Sequence, residues 1–486
     1  MSPRYPLLYQ LNTRVLVGEA AATTGAAPTL DALPDALLGR AAARGFDWIW
    51  MLGVWQTGEA GRREALAPAM RAEYARDVPD VREQDVAGSP FAIAGYDVAA
   101  ALGGDAALAR LRERLRARGL RVMLDFVPNH VALDHPWVDA HPEYFVAGSD
   151  DDLRREPGNY VRLRTARGER ILAHGRDPHF PGWTDTLQLN YRHAGLREAM
   201  VDQLLRVADR CDGVRCDMAM LLEPEVFART WSDRARPADG SPPVDAPFWP
   251  EAIARVRRQH PEFLFLAEVY WGLDWQLQQQ GFDFTYDKTL YDRLRAGAAD
   301  PVRAHLRAEP AFADRCARFL ENHDEPRAAA VFPPDRHRAA AALAYLLPGL
   351  RFFHEGQLEG RRARAPIQLT RRAPECPDPA VGALYDDLLA LLARPLLRDG
   401  TWRLCDVGPA DTAGDQAGDQ ADGDQTARGW RDVIAFRWQL GKQRMTVAVN
   451  YGPHPTACRI DPPDGGAALV LAPWSYDLKE DLLPTV

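Results

Sequence analysis

Four stretches of this chain share one shape: a short apolar run that ends in ionisable side chains. They are LRVMLDFVPNH (120–130), CDGVRCD (211–217), PEFLFLAEVYW (261–271) and RFLENHDEPR (318–327). A single such end is unremarkable, because Asn and Asp are ordinary turn residues. Recurrence between helix-like segments constrains the fold far more. DAALARLRERLRARG (105–119) carries Leu108, Leu111 and Leu115 at helical spacing and stops at Gly119. FWPEAIARVRRQHP (248–261) has Pro250 where a first turn tolerates it and stops at Pro261. Alternating strand and helix is the pattern of a parallel sheet built from βα units.

Eight strand candidates follow, at 6–12, 46–53, 120–127, 211–217, 263–269, 282–287, 317–323 and 350–356. Eight units over the first ~390 residues describe an α/β fold of the (β/α)8 TIM barrel type, enlarged by insertions, whose functional groups belong at the strand C-terminal ends. An open doubly wound sheet would leave the shared position of the polar ends unexplained. Residues 131–190, after the third strand, are too long for a simple loop and too polar for a barrel helix, and read as an insertion domain. Residues 408–429 repeat Gly-Asp-Gln without apolar content and read as a mobile loop. The alternating runs around them predict a C-terminal antiparallel β domain. The predicted division is 1–130, first part of the barrel; 131–190, insertion domain; 191–398, second part of the barrel; and 399–486, a C-terminal β-sandwich domain with a disordered loop at about 409–428.

With 486 residues, 46% hydrophobic and 26% charged, the chain can bury a large core. A net charge of −9 argues against an electrostatic grip on nucleic acid or anionic lipid. No basic segment leads into an apolar run with a small-residue cleavage site, and no window of about 18 apolar residues follows. The expectation is a cytoplasmic protein that engages no membrane and no nucleic acid. The six cysteines have no CxxC or disulfide-framework spacing, so buried free thiols are expected. The oligomeric state is open.

Taken in order, the four polar ends resemble the motifs of the alpha-amylase family of glycoside hydrolases: DFVPNH the first, GVRCD the second, Glu268-Val269 the third and ENHD the fourth. TLQLN (186–190) is similar to a short motif late in that family's insertion domain, and Phe91 in GSPFAIAGY falls where the family usually has a sugar-stacking Tyr. The resemblance spans the chain and implies a retaining enzyme acting on alpha-glucosides. The physical reading of the residues agrees. Residues two apart on a strand share a face, so Arg215 and Asp217 point together into the barrel mouth. The guanidinium favours an ionised Asp217, suited to nucleophilic attack, while Glu268 in a drier setting stays protonated as general acid. By resemblance Asp324 is the third carboxylate, which grips sugar hydroxyls and helps distort the ring, and His323 and His130 donate hydrogen bonds to the substrate.

Other assignments have a bland competitor. Asp125 reads as a structural hydrogen-bonding partner. The resemblance allows Asn129 to ligate a structural calcium, although the Lys-His pair expected after the nucleophile is Met220-Leu221 here; no cofactor is otherwise required. Trp183, Trp249 and Trp271 can stack on sugars or simply pack. Met218 after the nucleophile, the missing Lys-His pair and Gly95 in place of an Asp all point away from long starch chains. Three functions follow: a retaining hydrolase of short alpha-glucans or glucosides, with a small-molecule or oligosaccharide substrate; a transglycosylase or phosphorylase using the same three carboxylates; and an inactive sugar-binding barrel.

Overall fold

A computed structural model describes residues 3–482 apart from 26, 167, 411–424 and 462–467. Eight parallel strands close into a barrel: β1 (Leu7–Asn12), β2 (Trp48–Leu52), β3 (Arg121–Phe126), β4 (Gly213–Cys216), β5 (Leu264–Ala267), β6 (Phe284–Tyr286), β7 (Cys316–Arg318) and β8 (Leu350–His354). They run round the ring in chain order, and β8 pairs with β1 to complete it. Seven lie within the runs expected from sequence, and β7 starts one residue earlier, at Cys316. Their side chains are almost wholly buried, as parallel strands covered on both faces must be.

Alternation along each strand divides the core. Leu8, Trp48, Trp50, Met123, Leu266, Tyr286, Phe319 and Phe352 fill the barrel interior. The opposite faces meet the surrounding helices. The helix Gly104–Arg116 buries Ala107, Leu108, Leu111 and Leu115, and Trp249–Gln259 buries Trp249, Ala252, Ile253 and Val256 with Pro250 in its first turn. Gly213 opens β4 because nothing larger fits: a Cβ there would stand 2.8 Å from the Leu264 carbonyl oxygen and 3.1 Å from the Trp48 ring. The floor of the barrel is thus filled by aromatic rings, and the polar strand ends are left at the mouth.

Between β3 and β4 the expected insertion contains a hairpin, Tyr160–Thr165 with Gly168–Ala173, and a short pair in which His130–Ala132 meets Thr186–Gln188. A second excursion, between β2 and β3, was not anticipated. It holds the helices Glu59–Ala65 and Pro68–Asp77 and a strand pair, Trp55–Thr57 with Ile93–Val98. Beyond the barrel, β9 (Thr401–Pro409), β10 (Val433–Leu440), β11 (Gln443–Asn450), β12 (Thr456–Asp461), β13 (Leu469–Leu471) and β14 (Tyr476–Leu482) form an antiparallel sheet in the order β13-β12-β9-β10-β11-β14. It is docked by buried bonds, Trp438 Nε1 donating to the Leu346 carbonyl (2.8 Å) and Tyr451 Oη to that of Leu294 (2.6 Å). Most of the loop expected at about 409–428 lies outside the described residues.

All six cysteines are free thiols, and five are buried; Cys376 is the exception, exposed on the loop that follows β8. Among the described residues no helix is long and apolar enough to cross a membrane.

Candidate active site

Register brings the key carboxylates together. Arg215 on β4 pairs with Leu266 on β5. The ladder continues past both strands, with Asp217 N–H donating to the Phe126 carbonyl (2.9 Å) and Glu268 N–H to that of Cys216 (3.0 Å). Arg215, fully buried, then divides its fork: Nη1 donates to Asp217 Oδ1 and Nη2 to Glu268 Oε2, each at 2.6 Å. One planar guanidinium holds both groups, so these oxygens are no more than about 8 Å apart. The rings of Phe91, Trp50 and Tyr286 stand 5.2, 5.4 and 5.9 Å from the same cation, excluding water around it.

Glu268 is fixed on both oxygens. Met218 adopts a left-handed conformation (φ 42°), rare and costly for a side chain of this kind. That turn aims its N–H at Glu268 Oε2 (2.8 Å), while Tyr270 Oη donates to Oε1 (2.7 Å).

The ENHD segment separates into different jobs. Glu321 is a structural acid, accepting from Arg327 Nη1 (2.7 Å) and the Ala328 N–H (2.8 Å). Asn322 makes the turn, its Oδ1 accepting from the N–H groups of Asp324 (2.9 Å) and Glu325 (3.0 Å). That turn delivers Asp324 to the mouth, 3.1 Å from His323 Nε2. His323 Nδ1 in turn faces Gln10 Nε2 at 2.7 Å.

Asp217, Glu268, Asp324, Phe91 and His130 line one cavity of ≈530 Å³, with Arg215 and His323 directly behind its wall. All seven expected site residues are therefore assembled. Trp183 also lines the cavity, 5.0 Å from the His130 ring. Trp249 does not; it is buried and donates to the Ala219 carbonyl. Trp271 projects to solvent beside His179. Asp125 is the structural partner expected, accepting from Trp50 Nε1 (3.0 Å) and the Gly53 N–H (2.9 Å). Asn129 is engaged within the protein: its Oδ1 accepts from Gln188 Nε2 (2.9 Å), and its Nδ2 donates back to Gln188 Oε1 (3.2 Å). Among the described residues no group of three or more His, Cys, Asp or Glu side chains is placed to hold a metal ion.

The electrostatics are more symmetric than the sequence implied. Burial raises Asp217 and Glu268 together, with Arg215 opposing in both cases, while Asp324 is about half exposed at the mouth. Burial therefore outweighs the expected depression of Asp217, because one cation serves several carboxylates. Burial also lowers His130 to about 3 and His323 well below its ordinary value, so both imidazoles are neutral near pH 7.

Sequence reasoning did not find Tyr74 and Glu64, from the excursion after β2, or Ile367 and Gln368, from the loop after β8, all in the cavity wall.

The family model for the alpha-amylase catalytic domain matches residues 89–368, more than half of the chain and all four polar strand ends. The chain belongs to the alpha-amylase family. It is 28% identical over 285 residues to Alpha-amylase MalA of Haloarcula japonica, a match covering 55% of this chain and 36% of that protein. It is 32% identical over 288 residues to the Alpha-1,4-glucan:maltose-1-phosphate maltosyltransferase of Burkholderia pseudomallei, covering 56% and 21%. The match thus spans about a third or less of the length of these curated relatives. In fold it is similar to the maltogenic alpha-amylase AmyB from Thermotoga neapolitana, with a TM-score of 0.66 and 18% identity over 99% of this chain and 97% of that one.

Proposed function

We propose that this family member is a retaining alpha-glycoside hydrolase that cleaves short alpha-glucans or glucosides through a covalent glycosyl-enzyme. The observation that carries the reading is the single Arg215 fork shared by Asp217 and Glu268. Asp217 attacks the anomeric carbon as the bond to the leaving oxygen breaks, and Glu268 gives that oxygen its proton. Glu268 then takes a proton from water, which displaces Asp217 and restores the original configuration. Shared enclosure and a single neighbouring cation favour retention of a proton within the carboxylate set, and the Arg215 bond stabilises charge on Asp217. Asp324 and the neutral His130 and His323 bind sugar hydroxyls, and Phe91 gives the ring an apolar face.

Transfer to a second sugar would use the same intermediate, and the maltosyltransferase relative keeps that reading in view. The cavity lining favours neutral acceptors. Among the described residues it contains five carboxylates, Glu64, Asp185, Asp217, Glu268 and Asp324, and no Lys or Arg, a poor environment for phosphate or a sugar phosphate. A binding protein without activity is disfavoured by the assembled site. Met220 and Leu221 are buried in the core, so they offer no polar contact to a long chain beyond the cleavage point. We place the reaction in the cytoplasm.

Product analysis on a panel of alpha-linked glucosides, with and without added acceptor sugar, tests the reading. Free glucose or maltose supports hydrolysis. New oligosaccharides would support transfer, and no turnover on any member would overturn both.

A further inference from the structure

We infer that the cavity closes behind the sugar being transferred, and that Tyr74, Glu64 and Asp185 form a blind end receiving the hydroxyls of an uncapped non-reducing terminus. The enzyme then acts only from chain ends. This rests on the functional reading above, since it takes Glu268 to mark the leaving-group side.

The argument begins with ring order. Glu268 follows β5, diametrically across the eight-stranded ring from β1, and β2 and β8 flank β1. A group protonated by Glu268 departs on the β5 side, so the retained sugar extends towards the loops of β2 and β8. Those loops are joined. Val86 bridges Leu369, the Ala87 N–H donates to the Gln368 carbonyl (2.8 Å), and the Thr370 N–H donates to that of Asp85 (2.9 Å). Arg371 Nε fastens Asp85 at 2.7 Å. Beneath the seam Ala65, Tyr74, Val78, Val86 and Leu369 form a small core of their own. On the other side the Ala60 N–H donates to Asp134 Oδ2 (3.0 Å), tying the excursion to the insertion after β3. The wall is packed and bonded across loops from three strands, which differs from an open groove.

An independent observation points to a ligand. Tyr74 is 2% exposed and lines the cavity, yet its hydroxyl has no hydrogen-bond partner among the described residues. A buried hydroxyl without a partner is costly. Glu64 and Asp185 line the same cavity, and Asp185 stands close enough to both Tyr74 and Glu64 for their charges to interact. A phenol donor beside two carboxylate acceptors suits the vicinal hydroxyls of a neutral sugar. A cavity of ≈530 Å³ leaves room for a glycon of about one or two sugar units.

The test compares 4-nitrophenyl alpha-maltooligosaccharides that have a free non-reducing end with the same compounds capped there by a 4,6-O-ethylidene group. The free-ended substrate is expected to release a product of one fixed short length from the first turnover, and the cap should lower kcat/KM at least 100-fold. Tyr74→Phe, which removes only the hydroxyl, should raise KM about five-fold with kcat nearly unchanged, the scale of one neutral hydrogen bond. Similar rates on capped and free substrates, or products of mixed length, would overturn the blind end while leaving the catalytic assignment intact. Unchanged KM in Tyr74→Phe, Glu64→Gln and Asp185→Asn would equally overturn it. Absence of turnover on both substrates, with no glycosyl-enzyme formed from an activated alpha-glucoside, would overturn the functional reading and this inference with it.

Discussion

Gln10 Nε2 lies 2.7 Å from His323 Nδ1 in a fully enclosed contact between β1 and the segment after β7. An amide N–H donating to Nδ1 leaves the imidazole proton on Nε2, the nitrogen that faces Asp324 and the cavity. Gln10 thus positions a hydrogen-bond donor without touching substrate. Gln10→Leu should lower kcat about ten-fold with little change in KM. Gln10→Glu, which offers an acceptor and moves the proton to Nδ1, should cost more and shift the pH profile of kcat. Steady-state kinetics across pH 5–9 would check this, and equal effects of both substitutions at every pH would assign Gln10 to packing alone.

Arg215 compensates two buried acids at once. Removing one partner from such a set leaves uncompensated charge, at a cost of about 3–5 kcal/mol. Arg215→Ala should therefore be both inactive and strongly destabilised. Arg215→Lys should fold better yet remain nearly inactive, because a point charge cannot hold both carboxylates in one plane. Urea denaturation alongside activity would separate the two effects.

Asp125 gives a pH signature. Burial lifts its carboxyl from an ordinary value near 3.8 to about 7, although Arg215 and the bonds from Gly53 and Trp50 act the other way. Between those values the folded chain keeps a proton that the unfolded chain has released, so stability from this group falls as pH rises and levels off above about 7. The full effect is about 4 kcal/mol. The raised, buried Asp217 and Glu268 carry the same sign. Asp125→Asn cannot ionise and should flatten the decline, so its deficit relative to wild type should shrink from pH 4 to pH 8. Melting temperatures over that range would show it, and a parallel decline in both proteins would refute it.

The barrel was legible because its strands are covered on both faces and therefore read as unbroken apolar runs ending in polar residues. Six of the seven site residues were legible for the same reason, since their place at strand ends is a property of local sequence; Phe91, in the excursion after β2, was found by resemblance alone. The excursion after β2 was not. Its helix Pro68–Asp77 buries only Tyr74, so it lacks the apolar periodicity that marks a core helix. Its docking depends on Val86 meeting Leu369, a contact between distant segments that no local pattern announces. Charge sharing was hidden too. The sequence placed Arg215 beside Asp217 by two-residue spacing, whereas its bond to Glu268 depends on register between β4 and β5. Trp249 shows the opposite limit, since an indole that packs and one that stacks on sugar look alike until its N–H is seen donating to Ala219.

The division of labour between Asp217 and Glu268 is the central claim, and Glu268→Gln tests it most directly. With a leaving group that needs no proton, such as fluoride or a nitrophenolate, the first step should survive while the second lacks its base. Mass spectrometry of Glu268→Gln treated with an activated alpha-glucoside should show one glycosyl adduct, on Asp217. Azide, which requires no deprotonation, should then restore turnover and give the alpha-glycosyl azide. An adduct on any other residue, or azide rescue giving the beta anomer, would contradict the account.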